Sequence, residues 1–440
     1  MPVVKVEGTD LSYHLISFDK DGKERADDPG GRMSDKIADA VAKGEVTDVF
    51  IFSHGWRGDI PSALRQYKSW VTAMAKMGND RQRIREARPG FKPLLVGIHW
   101  PSEPFGEEDF GDVSFDVAEG APSVRAEVRR WAKRLGVTGN DEAEDALRTI
   151  IESAADDPVP PQLPTEVRDA YLKLDGLLGL GSGGVGAGPD ADREEFDPEL
   201  AYQASFEEEA DFGFSEIVGN VLSPLKSLSF WTMKGRGRTV GETGGHSLLK
   251  RLMSLPGKDK VRFHLMGHSF GCVMVSSVAV GPPGGKGLPR QVSSLALIQG
   301  ALSLWSYCKD IPKKPGTPGY FRRLVEVIAG PIVVTTSVHD RAVGTWYPKA
   351  AIASRDASFE PGELPTFGGI GSFGIRGPGL AIEDQTIAEA NHDYGFKPGK
   401  IYNLDGDKVI VGGDKVSGAH SQISVPQVAH AVWQGVLAAP

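Results

Sequence analysis

Six short runs of aliphatic and β-branched residues, each ending in a glycine or a polar residue, constrain this chain more than any other feature. They are VTDVFIFSHG (46–55), PLLVGIHWPS (93–102), VRFHLMGHS (261–269), VSSLALIQG (292–300), PIVVTTSVHD (331–340) and KIYNLDG (400–406). Continuous apolar strands have no solvent face, and sheets covered on both sides are the parallel ones. Segments with helical spacing lie between them: SALRQYKSWVTAMAKMG (62–78), FGCVMVSSVAV (270–280) and VPQVAHAVWQGVLAA (425–439). Alternating strands and helices predict an α/β fold, a doubly wound and mostly parallel sheet. The N-terminal VVKVEG and LSYHLISFD (11–19) read as an antiparallel edge pair.

The rhythm breaks from about 103 to 212. That stretch is acidic and carries two helix-like segments, RAEVRRWAKRLG (125–136) and DEAEDALRTIIESA (141–154). A PVPPQLP linker and a glycine-rich LLGLGSGGVGAGP tract (177–189) follow, the latter expected to be a mobile loop. The expected organisation is a core of 1–102 and 213–440, with 103–212 inserted as a helical lid over the sheet's C-terminal edge. FSEIVGNVLSPLKSLSFWTMKGR (214–236) returns the chain to the core as a helix interrupted near Pro224.

Composition narrows the partners. A net charge of -9 argues against nucleic acid or an anionic membrane surface. Two cysteines, Cys272 and Cys308, make no disulfide framework or zinc site. No uncharged apolar run reaches the ~18 residues a membrane span needs. MPVVKVEGTD lacks the basic and apolar parts of a secretory signal, so the expected location is cytoplasmic. DADREE (190–195) lacks the glycine and final glutamate of a calcium loop, so no metal is expected.

The chemistry lies in GHSFG (267–271). A nucleophile elbow needs a strand, a sharp turn and a helix, and small residues around the serine relieve crowding at the turn. Ser269 has VRFHLM before it, glycines at 267 and 271, and a helix-like run after it. Serine reacts only when a base takes its proton and an acid orients that base. Asp340 closes the run PIVVTTSVHD, at the edge where Ser269 emerges; Asp310 is the alternative acid. His420, in the loop VSGAHSQI before the closing helix, is the expected base. His392 is the alternative, His430 falls inside the last helix, and His268 within the elbow orients its neighbours. Acyl transfer also needs oxyanion donors, worth on the order of 10² to 10³ in rate each. These are expected from the backbone N–H of Phe270 and of Trp56, the latter in SHGW at the end of the first core run.

SHGW, GHSFG, Asp340 and His420, in that order, resemble the α/β-hydrolase fold family of serine hydrolases. The resemblance covers roughly 45–102 and 214–440. It is similar in detail to hydrolases that carry an FWTMK helix, a DRAVG…YP segment and a GGIGSFG loop. It implies the fold and the triad but no substrate, and 103–212 has no counterpart in it.

The expected reaction is hydrolysis of a small-molecule carboxylic ester through an acyl-enzyme, without a cofactor. Lipase, amidase and thioesterase chemistry use the same parts, and a hydrolase-like module that only binds a protein remains the alternative class. A histidine base works only when neutral, and the free imidazole has a pKa of about 6.5, so activity should fall in mild acid. Trp305, Tyr307, Trp346 and Trp56 are candidates to line an acyl pocket or to pack in the core, and SPLKSLSFW is a candidate cap. Nothing in the sequence speaks to oligomeric state.

Overall fold

The computed structural model describes residues 3–25, 31–44, 46–56, 60–102, 123–205, 221–255, 260–340, 364–413 and 419–440. These contribute one sheet with the strands β1 (Val3–Lys5), β2 (Ser12–Ser17), β3 (Asp48–Ser53), β4 (Pro93–His99), β5 (Arg262–His268), β6 (Ser294–Ile298), β7 (Ile332–Thr336), β8 (Ile382–Thr386) and β9 (Ile401–Asp405). Their order across the sheet is β1-β2-β4-β3-β5-β6-β7-β9-β8. Only β1 runs antiparallel, to β2; every other pairing is parallel. The six core runs and the N-terminal edge pair thus form strands as expected. β8, with the sequence IEDQT, was not expected from the sequence. It lies at the open edge beside β9 and is only partly buried.

The helices are α1 (Met33–Ala42), α2 (Ile60–Lys76), α3 (Gly78–Ala87), α4 (Val124–Leu135), α5 (Asp141–Asp156), α6 (Thr165–Leu178), α7 (Pro198–Ser205), α8 (Pro224–Val240), α9 (His246–Met253), α10 (Phe270–Val280), α11 (Leu324–Val327), α12 (Ile370–Phe373) and α13 (Pro426–Leu437). They cover both faces of the sheet. On one face, α2, α3 and α13 enclose a core that includes Phe50, Phe52, Tyr67, Trp70 and Trp433. On the other, α1, α8, α9 and α10 share a larger cluster. α10 is buried along almost its whole surface, which is why FGCVMVSSVAV carries no charge.

The inserted helices belong to that second cluster. Trp131, Leu147, Ile150 and Tyr171 join Leu225 and Leu228 of α8 in one apolar core. α4 is capped by Ser123, whose hydroxyl accepts from Ala126 N, and ends at Gly136 with φ 77°. α5 begins at Asn140, whose side chain accepts from Ala143 N. The junctions of the insertion, at 102/103 and 212/213, lie outside the described residues.

Pro224 opens α8, where its missing N–H has no intrahelical acceptor to lose; residues 214–220, the first part of the expected interrupted helix, lie outside the described residues. α8 then runs into a π-helical turn, Gly241–Gly245, and on into α9. The glycine-rich tract of 177–189 is packed rather than loose. Val185 is buried with Leu304, Trp305, Cys308 and Ile311. No helix among the described residues is long and apolar enough to cross a membrane.

Candidate active site

A parallel sheet presents all its strand C-termini at one edge, and each loop there starts from a rigid strand end. Ser269 follows β5, Asp340 comes four residues after β7, and His420 lies in a single 3-10 turn, Ala419–Ser421, between β9 and α13. The loop His54–Trp56 follows β3 at the same edge.

Ser269 stands between β5 and α10 with φ 55° and ψ -123°. Among the described residues only it and Gln299 have positive φ without being glycine. L side chains disfavour that region, and such strain persists where the surrounding structure over-determines it. The elbow is clamped on its backbone: Ser269 N–H donates to Ile298 O at 3.1 Å, and Ala301 N–H donates to Ser269 O at 3.2 Å. Glycine is required where the turn meets the β3 loop. A Cβ on Gly271 would run into Ser53 O and lie 2.7 Å from His54 O, both backbone atoms. We therefore expect Gly271→Ala to force the elbow and this loop apart, lowering stability by about 3 kcal/mol. A urea midpoint equal to the parent's would contradict that close approach.

Asp340 and His420 are joined directly. His420 Nδ1 lies 3.0 Å from Asp340 Oδ1 and 2.9 Å from Oδ2, with both residues buried. The imidazole is held from its backbone on two sides. Ala419 N–H donates to His339 O at 2.9 Å, next to the acid. His268 Nε2 donates to His420 O at 2.9 Å, while its Nδ1 accepts from Gln66 Nε2 of α2 at 2.8 Å. These two bonds fix one neutral tautomer of His268, and burial holds its pKa down to about 3. His268 is thus a strut for His420, as its place inside the elbow suggested. The two rings lie 4.7 Å apart, centroid to centroid, which brings His420 beside the residue preceding Ser269. Among the described residues no hydrogen bond joins the Ser269 hydroxyl to the imidazole; such bonds are often long before substrate binds.

The loop after β3 is built around a second histidine. His54 Nδ1 donates to Gly55 O at 2.9 Å, and its Nε2 accepts from His99 Nδ1 at 3.1 Å. Burial, then the neighbouring His99, holds the His54 pKa down to about 3, so the ring is neutral. Tying the Gly55 carbonyl to the ring fixes the plane of the Gly55–Trp56 peptide. Because that peptide is trans, the Trp56 N–H projects away from the ring. Gly55 abuts the elbow: a Cβ there would sit 2.7 Å from Ser269 Cβ and 3.2 Å from its Oγ. Phe270 is the first residue of α10, where the N–H has no intrahelical acceptor. Tyr67 of α2 anchors the loop, accepting from His54 N–H at 3.0 Å and donating to Ile98 O. The Trp56 ring packs edge-on to Phe230 of α8 at 5.7 Å, and Phe230 packs on Phe270 at 4.8 Å.

Other candidates fall elsewhere. Tyr307 is fully buried behind α10, its hydroxyl 2.8 Å from Ser276 Oγ and its ring stacked on Phe321. It packs in the core. Trp305 is buried too, donating its indole N–H to Pro365 O and Thr366 O. Trp346 lies outside the described residues. Asp310 caps a turn by accepting from Gly316 N. His392 is exposed, and its carbonyl accepts from His430 Nε2. His430 is tied by Nδ1 to Asp80 of α3 and keeps a raised pKa: burial is the largest influence and opposes the rise, and the hydrogen bonds to Asp80 and the His392 carbonyl, with the Asp80 charge, together outweigh it. In DADREE, Asp190 pairs with Arg238 through two bonds of 3.0 and 2.9 Å, and Arg193 pairs with Asp175. No group of three or more His, Cys, Asp or Glu among the described residues is placed to hold a metal ion.

The sequence reading missed Gln299, whose Nε2 donates to Asp340 Oδ2 at 3.0 Å, and Gln66 and Tyr67, which brace the edge from α2. The one available signal was positional: Gln299 closes the β6 run at the edge where serine and aspartate emerge. Comparison of the chain with models of known families, with curated proteins and with solved structures gives no match in any of the three.

Proposed function

We propose that this chain is a serine hydrolase of the α/β-hydrolase type that cleaves carboxylic esters. The observation that carries the reading is the strained backbone of Ser269 at a strand-to-helix junction, beside a buried Asp340–His420 pair. The strand order, with one antiparallel edge and a parallel remainder, supports it, as does the neutral-histidine scaffold under the Gly55–Trp56 peptide.

In this reading Ser269 Oγ attacks the acyl carbon as His420 takes its proton. The proton moves to the imidazole nitrogen facing away from Asp340, whose carboxylate fixes the tautomer and stabilises the imidazolium. The oxyanion rests on the N–H groups of Trp56 and Phe270. His420 gives the proton to the departing alcohol, then activates water, and the acid leaves as Ser269 is restored. Phe230, Trp56 and Phe270 form an aromatic wall against the acyl chain, with α8 as the cap. The inserted helices that pack on α8 act as a lid.

Fluorophosphonates phosphorylate an activated serine and leave structural serines alone. The expected result is stoichiometric labelling at Ser269, and p-nitrophenyl butyrate hydrolysis inhibited in step with it. Folded chain that takes no label would favour a non-catalytic binding module instead. A chain-length series of p-nitrophenyl esters separates esterase from lipase, and anilide and thioester analogues test the amidase and thioesterase alternatives.

A further inference from the structure

We propose that Gln299 is a positioning residue that sets the carboxylate of Asp340 and, through it, the His420 base; this rests on the triad reading above. Gln299 follows β6 directly, is fully buried, and has φ 45°. Its conformation is one that L side chains rarely adopt and that persists only where neighbours impose it.

The orientation of its amide follows from its partners. Gln299 N–H donates to Thr335 Oγ1 at 3.1 Å, so the Thr335 hydroxyl is free to give its own proton to Gln299 Oε1, 3.0 Å away. Oε1 is thereby the acceptor, and Nε2 is the atom that donates to Asp340 Oδ2 at 3.0 Å. The second Nε2 proton points toward Gly371 O at 3.5 Å. Gly371 itself lies close against the acid, where a Cβ would be 3.0 Å from Oδ2. The same turn grips the nucleophile, because Ile298 and Ala301, which flank Gln299 and Gly300, hold the two backbone bonds of Ser269. One strained turn therefore holds the backbone of the elbow and the side chain of the acid in a single frame.

The donated bond has two consequences. It fixes the carboxylate's rotation, so that both oxygens face His420 Nδ1. It also satisfies part of the carboxylate's charge, weakening its pull on an imidazolium. The titratable groups facing His420 are Asp340 from the β7 loop and His268 from β5. Removing the amide leaves the Asp340 carboxylate free to rotate out of line with His420 Nδ1.

Two full-length variants test this. Gln299→Met keeps the unbranched bulk without the amide. Gln299→Gly removes the side chain but relieves the positive φ. In both, kcat on p-nitrophenyl butyrate should fall about 10- to 100-fold, as misplaced catalytic groups typically cost, with KM within about two-fold. The His420 Nδ1 proton resonance, followed by NMR, should shift as its carboxylate acceptor rotates. If both variants keep the parent's kcat and Nδ1 resonance, Gln299 does not position the acid. If glycine is tolerated while methionine is not, the residue only shapes the turn, and the proposal falls. A wild-type chain that neither hydrolyses esters nor takes the fluorophosphonate overturns the triad reading instead. The Nδ1 resonance needs no turnover and still decides the role of Gln299.

Discussion

Ser269→Ala should abolish ester hydrolysis, lowering kcat on the order of 10⁴-fold or more, and should remove fluorophosphonate labelling entirely. The substitution deletes one oxygen and keeps the Cβ, so the elbow retains its strained φ of 55° and its two backbone bonds. On the proposed reading the aromatic wall still binds substrate, and KM should change little. Ser269→Gly makes a sharper companion. It loses the same chemistry but relieves the backbone, since glycine occupies positive φ without the Cβ clash. Strain of this kind costs on the order of 1–3 kcal/mol, so the glycine variant should unfold at higher urea than the parent. Greater stability together with lost activity is the signature of strain held for function. An alanine variant with near wild-type turnover would remove Ser269 from the mechanism. A glycine variant no more stable than alanine would remove strain from the account of the elbow.

The parts of this arrangement that were readable in the sequence are those made by local pattern. β3, β5, β6 and β7 are strands buried on both faces, and such strands announce themselves as unbroken apolar runs. The elbow is a contiguous motif, so Ser269 and Phe270 could be placed from five residues. Asp340 and His420 were placed by order along the chain, and they meet through a buried hydrogen bond. β8 escaped notice because IEDQT sits at an open edge and carries four polar side chains, which erases the apolar signal. Trp305 and Tyr307 were ambiguous because an aromatic after a core strand serves equally as pocket wall or packing. Their buried partners, Ser276 and the carbonyls of Pro365 and Thr366, are remote in sequence. Gln299 and Gln66 were illegible for the same reason: a lone amide has no motif, and its meaning comes from the atom it reaches across the fold.

Acid should unfold this protein well before its carboxylates protonate in bulk. His54 and His268 are buried and neutral, each with its pKa held down to about 3. In the unfolded chain both return to about 6.5. A base whose folded pKa is depressed binds fewer protons folded than unfolded, so the folded state is progressively penalised as pH drops below 6.5 and on toward 3. Each such group contributes about 1.4 kcal/mol per pH unit in that window. Two imidazoles over two units, down to pH 4.5, amount to about 5 kcal/mol, comparable with the whole stability of a marginal domain. His430 gives no compensation there. Its pKa is raised, so its stabilisation is already complete below the unfolded value and is lost only as pH rises through the folded one. The loss should also be local in its first effect, because His268 holds the His420 backbone and His54 holds the Gly55 carbonyl. Urea unfolding at pH 7.5, 6.0, 5.0 and 4.5 should show the midpoint falling steeply below pH 6. The His54→Asn, His268→Gln double variant, whose amides do not titrate, should show a flatter profile, even if it starts from lower stability at pH 7.5. A wild-type midpoint that stays level down to pH 4.5 would mean that these two rings are not the buried neutral struts on which the elbow and the loop after β3 depend.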